Sequence, residues 1–359
     1  MFASKPRRAT FRLLAAAAVA FVAGATSSFA AEPLNVLNWK DWGTDAPWAL
    51  KLFEGPNGIK VTHDYFSSFA EAFTKLRTNP GHYDMLDLNV AFTKQAADEG
   101  LIQPIDTSKL KNFASLEENF RNSAEITKDG KVYGVAWIWG GTALAYNTDV
   151  FKQPPTSLAV LWDPAYAGKV CLRDDGEDAE RFTALLLGQN PDAPSDMAAI
   201  RDKLRALKPQ IKALFKTEDE WLKLVAAKQC DLSLVWTTSV EIGRNKYNLP
   251  VSFVVPQEGA IVWRDALSIA AGAPDLNAAY AFIDFLISPE FYAAWGAAGG
   301  APVPSNTTAV GQLPDNSLTK QVLTQPDALK HLRVKGILSD DQRQAVLDLW
   351  EETKAYYAQ

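Results

Sequence analysis

Cysteine and histidine are nearly absent from this 359-residue chain, which holds two of the first and three of the second. His63, His82 and His331 share no spacing suited to zinc, so metal catalysis has almost nothing to work with and no cofactor is expected. There is no Gly-x-Ser-x-Gly elbow, and no motif positions a histidine as a base. No period of about 20 to 50 residues recurs, which excludes a solenoid or repeat array. With 21 glycines, 20 prolines, 47% hydrophobic, 22% charged and 11% aromatic residues, disorder, collagen and coiled coil are excluded too. What remains is a folded soluble protein of one or two ordinary domains, long enough for two cores.

Long apolar runs are confined to the N-terminus. Lys5, Arg7, Arg8 and Arg12 form a basic start, Leu13 to Gly24 is uncharged and apolar, and Ser28-Phe29-Ala30 offers small residues where a signal peptidase cuts. Residues 1–30 therefore read as a secretory signal peptide. The apolar core is shorter than the roughly 20 residues a membrane span needs. Arg7-Arg8 hints at twin-arginine export, although Phe11 sits one place late for that signal. Four of the 36 Lys and Arg lie in this segment and no acid does, which leaves 32 basic against 42 acidic residues, a mature charge of about −10. Nucleic acid is a poor partner for such a chain, and a small cation suits it better. The mature protein is expected outside the cytoplasm, in the periplasm.

In an exported protein an isolated cysteine pair is more readily a disulfide than a metal site. Cys171 and Cys230 both lie at the start of apolar runs that read as strands, Val170 to Leu172 and Leu232 to Trp236, so the two can sit side by side. Further strands are expected at Leu34 to Asn38, Ile59 to Tyr65, Tyr83 to Asn89 and Ile261 to Ile269. Helices are expected at Ala46 to Phe53, Phe69 to Arg77, Phe92 to Glu99, Glu177 to Leu187, Trp221 to Ala227, Leu276 to Leu286 and Asp340 to Tyr356. This alternation predicts an α/β fold with mainly parallel sheets. Ligands of such sheets bind beyond the carboxyl ends of the strands, which places Trp39 and Asn89 near a crevice.

Several segments in order carry a resemblance: Asn38-Trp39, Tyr83-Asp84, Gly100 to Asp106, Trp137 to Gly140, Leu161 to Pro164 with Tyr166 and Gly168, Asp174-Asp175, Trp236, and Trp263-Arg264-Asp265. From about Leu34 to its end the chain resembles the periplasmic spermidine/putrescine-binding proteins of ABC importers. The resemblance implies a two-lobed fold crossed near Trp137, Gly259 and Asn306, with the ligand between lobes that close on a hinge. Lobe 1 would be residues 31–138 with 262–310, and lobe 2 residues 139–261 with 311–359. It also implies a monomer that works with a membrane permease.

A buried ammonium must be paired with carboxylates, and aromatic faces add cation-π attraction. Trp263 and Asp265 are two apart on an expected strand, so they share a face while Arg264 takes the other. Asp265 in an apolar run needs a partner that Arg264 cannot supply. Trp39, Asp41 and Trp42 follow the first strand, and Asp175 and Asp178 are three apart at a helix start. These residues, with Trp236, match binding positions of the resembled family, in which an aspartate like Asp265 holds one amino group and a pair like Asp175 and Asp178 another, and Asn89 at the end of its strand is a further candidate binding residue. Asp175 also reads as a helix N-cap with Asp178 in the first turn. Asn89 and Ala91 replace the family's serine and tyrosine, Ala301 stands where a tyrosine is common, and Lys40, Arg173 and Arg264 add positive charge nearby.

The function these readings favour is a receptor, not an enzyme, that captures putrescine or spermidine. Its alternative is a same-fold receptor for another amine-bearing solute, such as an opine or a thiamine-like compound. A secreted hydrolase using Asp174, Asp175 or Asp178 as a two-carboxylate pair is the competing class. Ferric-ion capture lacks suitably placed tyrosines, because Tyr356-Tyr357 lie in the terminal helix.

Overall fold

The computed structural model describes residues 1–3 and 32–359, so the signal-peptide segment, its export route and its cleavage site lie outside the described residues. The chain from Glu32 to Gln359 forms one compact unit. Nine strands organise it: β1 Leu34–Asn38, β2 Val61–Tyr65, β3 Met85–Asn89, β4 Val135–Asn147, β5 Val170–Arg173, β6 Ile211–Phe215, β7 Leu232–Trp236, β8 Val251–Val254 and β9 Ala260–Ala270. They form a sheet in the order β2-β1-β3-β9-β4-β7-β5-β6, with β8 also on β4. The outer runs are parallel, β2-β1-β3 on one side and β7-β5-β6 on the other. Helices cover them: α1 Pro47–Asn57, α2 Phe69–Thr78 and α3 Val90–Asp98 on the first side, α4 Gly176–Leu186, α5 Glu218–Ala226 and α6 Thr237–Tyr247 on the second. Then come α7 Leu276–Leu286, α8 Pro289–Ala298 and the terminal α9 Asp340–Tyr357.

The sheet is mixed where a mainly parallel one was expected, and the reason lies in its two longest strands. β4 pairs with β9 through residues 135–142 and with β7 and β8 through residues 142–147, antiparallel throughout. β9 in turn pairs antiparallel with β3 through residues 265–269. β9 thus joins the first parallel run, β4 joins the second, and their pairing with each other ties the two into one sheet. Both strands are apolar along nearly their whole length, the pattern of strands covered on both faces.

The carboxyl ends of β1, β3, β5 and β7 carry Asn38, Asn89, Arg173 and Trp236, while β4 and β9 run between them. One core packs Leu34, Val36, Phe53, Trp137, Leu267, Phe282 and Phe291 between the first run and α1, α7 and α8. Another packs Leu144, Leu172, Phe182 and Leu234 beside β5 and β7. Gly176, the first residue of α4, lets α9 dock closely, since a Cβ there would stand 2.7 Å from the Trp350 side chain.

Cys171 on β5 and Cys230 just before β7 lie on neighbouring strands, with Cα atoms 5.6 Å apart, and are joined. Closing a loop across a sequence separation of 59 restricts the unfolded chain by about 4 kcal/mol in the chain-entropy description. Unfolding in urea with and without reductant checks this: the reduced protein should be less stable by roughly 2–4 kcal/mol. Equal midpoints, or two free thiols in the untreated protein by mass spectrometry, would contradict the bond.

Candidate functional site

Asp265 is 5% exposed and sits where β9 leaves regular pairing with β4, at a register shift between Asp265 and Ala266. Strand alternation puts it on one face with Trp263, and its neighbour across β3 is Asn89. Both carboxylate oxygens accept bonds from neutral donors, Asn89 Nδ2 at 3.1 Å and Trp42 Nε1 at 3.2 Å. Arg264 points to the other face, where it pairs with Glu125 at 2.8 Å and lies 5.5 Å over Phe120. No cation therefore compensates Asp265 among the described residues. Burial pushes its carboxyl up to about 7, against the two hydrogen bonds that favour the charge.

The walls are indoles. The Trp42 and Trp263 ring centroids are 5.6 Å apart, and Trp295 closes on Trp42 from behind at 6.2 Å. The Trp263 ring packs against Gly140 of β4, so close that a Cβ there would stand 2.3 Å from it. Trp39 is engaged differently, with its ring 4.4 Å from Phe66 and 5.2 Å from Phe69. It joins that aromatic cluster. Asp41 is exposed in a left-handed turn of φ 61°, bonded through its N–H to Asp45. It lies near Glu218 of α5, whose carboxyl is raised chiefly by burial and to a smaller extent by Asp41.

Asp175 and Asp178 stand on the far side, and the structure gives them cations of their own. Asp175 caps α4 by accepting from the Asp178 N–H at 3.0 Å. Arg173 Nη2 bonds to Asp175 and to Asp178, the latter at 2.7 Å. Lys335 Nζ is 2.8 Å from Glu177 and 3.8 Å from Asp178. Burial alone would raise the Asp175 carboxyl, but Arg173 and Lys335 overcome it and hold it down at about 2. The guanidinium of Arg173 lies 4.4 Å over the Trp236 ring. Thr142 Oγ1 donates to Asp178 at 3.0 Å and, by strand register, stands level with Trp236 and Ile261. The two groups thus share one face of β4 and β9.

Two participants escaped sequence reading. Asp87, on the same face of β3 as Asn89, is buried, accepts from Trp137 Nε1 at 3.0 Å and leaves its second oxygen without a partner. Burial and the nearby Asp265 charge both raise its carboxyl well above the usual range. Lys335 comes from the loop before α9, far from Asp178 in sequence. Neither carried a local signal.

A continuous sheet threaded by two long shared strands, with anchoring groups beyond the strand ends, is the fold of the two-lobed periplasmic binding proteins. The spermidine/putrescine ABC-transporter substrate-binding protein PotD from Streptococcus pneumoniae superposes with a TM-score of 0.79 at 23% identity, over 91% of this chain and 99% of its own. MotA from Agrobacterium tumefaciens, solved with glucopine, superposes with a TM-score of 0.72 at 18% identity, over 90% of this chain and all (100%) of its own. In sequence, residues 48–322 match the bacterial extracellular solute-binding protein family. The spermidine/putrescine-binding periplasmic protein of Escherichia coli K12 is 31% identical over 297 residues, 82% of this chain and 83% of that one. The chain belongs to this family of bacterial extracellular solute-binding proteins.

A pH test isolates the buried carboxylates. An acid whose folded value is raised holds a proton that the unfolded chain releases near 3.8, so it contributes stability at low pH that is lost as pH rises toward the folded value. Asp87→Asn keeps the acceptor for Trp137 and removes the titration. Urea unfolding at pH 5 and pH 8 should show the wild type losing ground to this variant as pH rises. A stability difference that stays constant between the two pH values would count against the raised carboxyl.

Proposed function

We propose that this chain is the extracytoplasmic, periplasmic receptor of an ABC importer and that it captures a small amine-bearing solute, one ammonium of which is seated on Asp265. The observation that carries this reading is a buried carboxylate held by neutral donors, walled by Trp42 and Trp263, with no cation of its own. An incoming ammonium supplies the missing charge, and the indole faces replace its water. Spermidine and putrescine, named for the relatives, are the first ligands to test. The neutralised state of Asp175 and Asp178 favours a second reading, an amine whose other end is not an ammonium.

On this reading the lobes divide as residues 31–138 with 262–310 and residues 139–261 with 311–359. Asp265, Asn89 and Trp42 then belong to the first lobe, and Arg173, Asp178, Trp236 and Lys335 to the second. Contacts such as Arg343 lying 5.0 Å over Phe92 would form as the lobes close, and the closed monomer would be what the permease meets. No covalent step is required. Hydrolysis by Asp174, Asp175 or Asp178 is disfavoured because each already meets a cation: Asp174 lies 3.2 Å from Lys354, and the other two hold Arg173.

Calorimetric titration of the mature protein with putrescine, spermidine and other amines tests the reading. Asp265→Asn should weaken whatever amine binds by about a hundredfold or more, as expected for removing one member of a buried charge pair. Wild-type affinity should rise about tenfold from pH 6 to pH 8, because Asp265 must lose its proton to meet the ammonium. Undiminished binding by Asp265→Asn would sink the assignment.

A further inference from the structure

The Asp265 end and the Arg173 end of the shared face carry opposite electrostatics. Around Asp265 the described residues bring a second acid, Asp87, and no cation. Around Arg173 the acids Asp175, Glu177 and Asp178 meet Arg173 and Lys335 directly, and Arg181 and Arg343 each stand 3.3 Å from Glu177. An ammonium arriving there finds no carboxylate left to pair with. It would also find the Trp236 face already covered by the Arg173 guanidinium.

An unused donor points the same way. Arg173 Nε is buried without a partner. A protonated diamine or triamine offers only donors and cannot satisfy it, whereas a carboxylate oxygen accepts from it. The dipole of the eleven-residue helix α4, whose N-cap is Asp175, adds a further preference for negative charge at this end. In register, Asp265 and the Thr142 level of β4 are four residues of strand apart, about 13 Å. Charged side chains at the two levels can therefore hold opposite ends of one extended molecule.

We infer that the solute is zwitterionic: an amino-carboxylate whose ammonium pairs with Asp265 and whose carboxylate is received by Arg173 and Lys335, with the connecting chain laid over Trp263. This rests on the receptor reading above and names its ligand class. Arg173 and Lys335 are then specificity-determining residues, since they turn away the second ammonium of a polyamine.

The test compares molecules of equal backbone length on the wild-type protein. By calorimetry, 6-aminohexanoate and 8-aminooctanoate are set against 1,6-diaminohexane, 1,8-diaminooctane, spermidine and hexylamine. The amino-carboxylates should bind at least roughly tenfold tighter than the matched diamines, because like charge at the second pole is repelled. Lys335→Gln, checked for folding by circular dichroism, should shrink that preference by roughly tenfold while Asp265→Asn abolishes binding of both classes. Diamines or spermidine binding as tightly as the amino-carboxylates would overturn the inference and leave the receptor reading intact. Equal binding of hexylamine and 6-aminohexanoate would overturn it as well, by showing the second pole to be unused. Failure of every amine to bind would overturn both readings together.

Discussion

A carboxylate buried without a counter-ion is the constraint on which the rest of this molecule turns. Taking a charged group out of water is costly unless it is paired, and Asp265 has only an indole and an amide to lean on. Its neighbour Asp87 is in the same position with one oxygen free. Burial raises both carboxyls above their usual range, and the nearby Asp265 charge raises that of Asp87 further. On the proposed reading, a cation seated beside Asp265 would relieve that cost, so the expense of burying these acids would become a source of affinity.

The fold keeps that cost local. β9 joins the first parallel run through β3, β4 joins the second through β7, and their pairing with each other sets the register: Asn89 opposite Asp265, Gly140 opposite Trp263, Thr142 level with Trp236. Rigid strands position the anchors, and Gly140 lets the Trp263 ring lie on the backbone itself. The opposite pole is built from a strand end, a helix start and a loop before the last helix, and its acids are matched by bases drawn from all three.

Much of this was legible in the sequence where the signal is local. The face shared by Trp263 and Asp265, with Arg264 turned away, follows from strand alternation and is what the structure shows. Leu276–Leu286 was bounded correctly because its apolar residues recur at helical spacing behind an Asp cap. α6 escaped notice because its Thr237, Thr238, Ser239 and Glu241 are polar residues that tertiary packing buries, which erases the periodicity. The mixed direction of the sheet was hidden for a different reason: strand runs carry no orientation, and only pairing across the chain supplies it. Asp175 and Asp178 show how far local reading goes. Their spacing identified a capped helix start, and whether they were free to hold an amine depended on Lys335, which no nearby residue announces.

Carbon-13 titration of the Asp265 side-chain carboxyl, followed by NMR in the empty protein and again with bound amine, probes the central claim at its source. In the empty protein the resonance should titrate near 7, and with an ammonium in place it should stay ionised well below that. A carboxyl that titrates near the ordinary 3.8 in both states would contradict the account.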